Sequence, residues 1–105
     1  MLDLSKRSKK YFDLVLHDGT KLQIPPPSRG IYGEMLEISK KEIPDEEELG
    51  RLVAMVLQTN KQGIEITQAQ VDAFDLDDMT TFFVEYAQFT QELLSDPNSK
   101  FPIVR

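Results

Sequence analysis

The chain has 105 residues, 40% of them hydrophobic and 29% charged, a size and balance that suit one compact domain better than a disordered segment. Its net charge of −6 argues against a nucleic-acid backbone or an anionic membrane as the main partner. The absence of cysteine excludes disulfides, thiolate metal sites, iron–sulfur clusters and cysteine nucleophiles, and a single histidine, His17, supplies the one imidazole.

Residues 1–10 form a basic N-terminal segment carrying Lys6, Arg7, Lys9 and Lys10. No apolar stretch of signal-peptide length follows it, and no run approaches the ~18 residues of a membrane span, so the expectation is a soluble, cytoplasmic protein. Charge is unevenly divided. Residues 1–30 hold six basic and three acidic side chains, a balance of +3, whereas residues 31–105 hold six basic and fifteen acidic, a balance of −9.

Residues 11–24 read as a β-hairpin, with Phe12, Leu14 and Leu16 alternating before Asp18-Gly19 and Leu22 and Ile24 after it. A two-residue turn at Asp18-Gly19 would set Leu14 against Gln23 and Leu16 against Lys21, mixing apolar and polar partners. A three-residue loop of His17, Asp18 and Gly19, closed by a left-handed glycine bulge, instead pairs Phe12 with Ile24 and Leu14 with Leu22 on one apolar face. Pro25-Pro26-Pro27 cannot donate to a sheet ladder and ends the second strand.

Four helices are predicted beyond it. Ser28 can cap the first, to about Ser39, with Ile31, Met35 and Ile38 on one stripe, Tyr32 and Leu36 beside it, and Gly30 and Gly33 weakening it. Asp45 can cap the second, near 46–59, whose first turn places Glu46, Glu47 and Glu48 at the positive end of the helix dipole; Leu49, Leu52, Val53 and Val56 give its buried face, and Gly63 ends the turn beyond Asn60. Thr67 and Gln70 form a capping box for a short helix over about 68–74, with Ile66 and Val71 as its hydrophobic staple. Asp75, with Asp78 three residues on, can cap the longest helix, which runs to about Leu94 before Ser95-Asp96-Pro97-Asn98. Its apolar side chains cover an arc of roughly 160°, which requires more than one neighbour. Phe101-Pro102-Ile103-Val104, in the tail 96–105, either packs back on the domain or stays mobile. The whole is a single mainly α domain: an N-terminal β-hairpin at 11–24, then about four helices in a small bundle forming a helical body at 28–95.

No catalytic, cofactor-binding or metal site emerges. His17 lies beside the turn with nothing in the sequence to orient it as a base, and reads as a polar turn residue. The acidic stretch from Asp72 to Asp78 fails as a calcium loop: counted from Asp75, the sixth position is Thr80 where glycine is required and the twelfth is Tyr86 where a bidentate glutamate is required. Arg29-Gly30-Ile31-Tyr32-Gly33 lacks the pattern of a phosphate-binding loop. What remains is protein binding. The aromatic band of the last helix has core as its ordinary reading, and as its functional reading a surface for an unfolded or helical partner. The candidate protein-binding residues are Met79, Phe82, Phe83, Tyr86 and Phe89.

The order of elements resembles the small tail assembly chaperones of long-tailed bacteriophages. The resemblance covers about residues 11–94 and is carried by the hairpin YFDLVLHDGTKLQIPPPS, by Leu52, Val53, Leu57, Asn60, Gly63, Ile66, Thr67, Val71 and Asp72, and by the run from Leu76 through Tyr86 to Phe89. It implies a non-enzymatic, phage- or prophage-encoded protein of the bacterial host cytoplasm. Such a protein binds the tape-measure protein, keeps that long helical chain soluble and helps recruit tail-tube subunits, with a homo-oligomer as an open option and neither nucleic acid nor membrane as partner. The alternatives are a generic protein-binding adaptor or regulatory subunit of a mobile element, and last an acidic nucleic-acid mimic, since much of the acid is used at helix starts.

Overall fold

The computed structural model describes residues 1–6 and 10–95; the expected tail, 96–105, and residues 7–9 of the basic segment lie outside the described residues. Strands β1 (Phe12–Val15) and β2 (Lys21–Ile24) pair antiparallel and lead into helices α1 (Arg29–Ser39), α2 (Glu46–Gln58), α3 (Gln68–Asp72) and α4 (Leu76–Ser95). A short 3₁₀ turn at Leu4–Lys6 precedes the hairpin. The domain is mainly α with an N-terminal hairpin, as the sequence predicts.

The hairpin adopts the register that sorts its side chains by polarity: Phe12 faces Ile24 and Leu14 faces Leu22. Its loop is the three-residue one. The Leu16 amide donates to the Thr20 carbonyl at 2.8 Å, the Gly19 amide to the Leu16 carbonyl at 2.9 Å, and Gly19 closes the bulge at φ +89°. Leu16, Leu22 and Ile24 are buried on the inner face, with Phe12 and Leu14 half-buried beside them. The free edge of β2 is covered in part by the chain after α2. There Lys61 donates its amide to the Gln23 carbonyl at 2.8 Å, and the Gln62 side chain accepts from the Gln23 amide at 3.1 Å.

Each helix begins on the cap its sequence offers. Ser28 Oγ accepts from the Ile31 amide at 3.2 Å, and Asp45 Oδ1 accepts from the Glu47 amide at 3.0 Å. Thr67 and Gln70 exchange side-chain and backbone bonds in a full capping box. Asp75 and Asp78 do the same at α4, with Asp78 N to Asp75 Oδ1 at 2.7 Å and Asp75 N to Asp78 Oδ2 at 3.1 Å. These caps satisfy amides that the first helical turn leaves without partners.

Helix α2 is the centre of the body and packs against α1, α3, α4 and β2. Its Leu49, Leu52, Val53, Val56 and Leu57 are all buried, and they join Met35 and Ile38 of α1 and the inner hairpin residues in one core. After α2 the buried Asn60 side chain holds the loop. Its Nδ2 donates to the Leu57 and Ile64 carbonyls at 2.9 and 2.8 Å, and its Oδ1 accepts from the Ile64 amide at 2.8 Å. Gly63 turns there at φ +71°.

Candidate functional site

The polar side chains that converge from distant parts of the chain meet at the hairpin tip. His17 Nε2 donates to Asp78 Oδ2 at 2.9 Å, and the His17 ring stands edge-on to Phe74 at 5.1 Å between centroids. Next to it, Asp18 Oδ1 accepts from the Thr20 amide at 3.0 Å while Oδ2 accepts from Gln70 Nε2 at 3.0 Å. The loop therefore reaches the capping residues of both α3 and α4. Backbone and side-chain donation from Thr20, with Gln70, hold the Asp18 carboxyl below the usual carboxylate range; the Asp75 amide first, then His17, do the same for Asp78.

A histidine–aspartate pair could orient an imidazole as a base, but Asp78 binds Nε2 while also accepting from the Asp75 amide, and so acts as a bracket between hairpin and helix. An open cleft of about 580 Å³ lies beside it, lined in part by Leu16, Asp18, Glu65, Thr67 and Gln70. Of its polar groups, Asp18, Thr67 and Gln70 are engaged in turn and cap bonds. Among the described residues no group of three or more His, Asp or Glu side chains is arranged to hold a metal ion.

The five candidate binding residues of α4 divide by depth. Met79 and Phe82 are 6% exposed and Tyr86 2%, so these three belong to the core; Phe83 and Phe89 are half-buried and packed against it. Of the two readings the core one holds for Met79, Phe82 and Tyr86, against their reading as a client surface: Phe12 of the hairpin covers Phe82 and Tyr86, and Met79 lies against Gly50 of α2. Phe12 places its ring 5.9 Å from Phe82, 5.6 Å from Tyr86 and 5.7 Å from Phe89, with edge-on or tilted geometry. Phe82 and Tyr86 stack at 5.7 Å, and the Tyr86 hydroxyl donates to the Pro25 carbonyl at 2.6 Å, which fixes the proline segment to α4. The breadth of the arc has its expected cause, since α4 packs on both α2 and the hairpin.

The exposed apolar surface of α4 lies a quarter-turn away. Leu76 is 60% exposed, Val84 56% and Leu94 39%, and the half-buried Phe83 and Ala87 form the border with the core. At ~100° per residue, Leu76, Phe83, Ala87 and Leu94 fall within about 40° of one another, with Val84 on the outer flank. Val84 is the residue that the sequence reading left out. Its signal was present: adding Val84 and Ala87 extends the apolar arc beyond about 200°, more than a helix packed on one side can bury.

Comparison of the chain with family models, with curated proteins and with solved structures returns no match. No helix among the described residues is long and apolar enough to cross a membrane.

Proposed function

We propose that this chain is a non-enzymatic, protein-binding chaperone of the phage tail-assembly kind, working in the bacterial cytoplasm. It keeps a long, largely helical tape-measure protein soluble and helps recruit tail-tube subunits. The reading rests on the resemblance in element order and on one observation: three apolar side chains, Leu76, Val84 and Leu94, left exposed on a 20-residue helix whose Met79, Phe82 and Tyr86 are buried in the core. A chaperone of an amphipathic client needs such a surface to shield apolar residues, and a net charge of −6 to keep the complex dispersed.

Co-expression with a long helical tape-measure protein as client tests this. The expected outcome is a soluble client that co-purifies with the chain. A client that stays insoluble and fails to co-purify overturns the proposal.

A further inference from the structure

The two edges of the hairpin differ in what meets their backbone groups. With Leu16 bonded to Thr20 and Leu14 opposite Leu22, the N–H and C=O of Phe12, Leu14 and Leu16 point into the hairpin, and those of Asp13, Val15 and Gln23 point out of it. The outward groups of Gln23 are met by Lys61 and Gln62, which follow α2. Those of Asp13 and Val15 have no hydrogen-bond partner among the described residues, and both side chains are exposed, Val15 at 61%. Donors and acceptors at ladder spacing therefore line the side of β1 that faces away from α2, on a strand that holds no lysine or proline to blunt its edge.

Helix α4 sets the charge beneath this edge. Its Phe82, Tyr86 and Phe89 face Phe12 of β1, and Met79, about 80° round the helix from Phe89, lies against Gly50 of α2. In the other direction, about 40° and 60° from Phe89 at ~100° per residue, come Glu85 and Glu92. Both are on the side of α4 away from α2, both are exposed, and neither has a hydrogen bond or ion pair among the described residues.

We propose that the free edge of β1 takes an extended segment of a partner protein as a third strand, with lysine or arginine at the alternate positions that point towards α4. Main-chain bonds to Asp13 and Val15 supply the pairing. The basic side chains lay their stems on the half-buried Phe12 and Leu14 and carry their charge to Glu85 and Glu92. A second copy of β1 on the same edge would set its own Glu85 and Glu92 beneath the seam, like charge beside like, so the acid favours a basic strand over self-pairing. This surface is separate from the exposed Leu76, Val84 and Leu94, each about 140° round the helix from Phe89, and it stands or falls independently of the chaperone reading.

The test is a fluorescence-anisotropy titration of the full chain against labelled peptides of about eight residues that alternate valine and lysine. One control replaces lysine with glutamate. Two others carry backbone N-methyl groups, on the valine amides in one and on the lysine amides in the other, so that each blocks one edge of the peptide strand and leaves the other edge intact. The lysine peptide is expected to bind about tenfold or more tighter than the glutamate peptide, and one methylated peptide is expected to lose binding while the other keeps it. Glu85→Lys and Glu92→Lys are each expected to weaken the lysine peptide by about tenfold while circular dichroism stays unchanged. Equal binding of lysine and glutamate peptides, equal loss in both methylated peptides, or no saturable binding of the lysine peptide overturns the proposal. So does a dimer in sedimentation equilibrium that the lysine peptide dissociates, because the occupant is then a second copy. A gain of about tenfold in peptide affinity when Ile103→Pro and Val104→Pro are combined identifies the chain's own tail as occupant and also overturns it.

Discussion

Tyr86 concentrates several constraints in one side chain. Its ring lies between Phe82 and Phe89 and beneath Phe12, and its hydroxyl reaches the Pro25 carbonyl at 2.6 Å. Burial disfavours the phenolate and pushes the Tyr86 hydroxyl above its ordinary value of 10.0. A group whose folded pKa is raised contributes stability that is fully present below its unfolded pKa and is lost as pH rises from there towards the folded value. Urea unfolding at increasing pH is thus expected to show a fall in stability above about pH 10 that Tyr86→Phe lacks. At pH 7 the same substitution leaves the Pro25 carbonyl without its donor and is expected to cost about 1 kcal/mol. An alkaline profile identical in wild type and variant would contradict this account.

At the scale of elements, local signals and outcomes agree closely, because each helix start is decided within four residues. Ser28, Asp45, Thr67 and Asp75 each supply an acceptor for an amide of the first turn, and each helix begins directly after its cap. Helix α1 is the least favoured by its own residues, since it holds Gly30 and Gly33. Its packing through Met35 and Ile38, together with the Ser28 cap, offsets that deficit. A Cβ built at Gly33 meets nothing within 4 Å. Gly33→Ala is therefore expected to stabilise the domain by about 0.5–1 kcal/mol, read as a higher urea midpoint with an unchanged m-value. A lower midpoint would mean that the backbone at Gly33 serves some purpose other than helix.

On the scale of the whole molecule, the hairpin is held at both ends of its contact with the helical body. Phe12 enters the aromatic row of α4, while His17 and Asp18 at the tip bind the caps of α4 and α3, 61 and 52 positions away in sequence. Both carboxyls have lowered pKa values, so their contribution is present above the ordinary aspartate range and is lost as pH falls through the depressed values. Stability measured from pH 5 downward is expected to decline less steeply in the double variant Asp18→Asn, Asp78→Asn than in wild type. Parallel pH profiles would show that these contacts do not link the hairpin to the helices.

Much of the fold was legible in the sequence, because its signals are short-ranged. The hairpin register follows from keeping Phe12, Leu14, Leu22 and Ile24 on one face, and the helix starts follow from hydroxyl or carboxylate acceptors beside amides that lack partners. The candidate site was less legible for the opposite reason. Periodicity marks Met79, Phe82, Phe83, Tyr86 and Phe89 as one apolar band, but which part of a wide arc is covered depends on what packs there. That was decided by Phe12, more than 60 positions upstream of them. The sequence alone determined the elements, their caps and the excess of acid. Only the tertiary structure decided that the aromatic band is core and that Leu76, Val84 and Leu94 face outward, because burial is set by contacts between elements and local periodicity carries no record of which neighbour arrives.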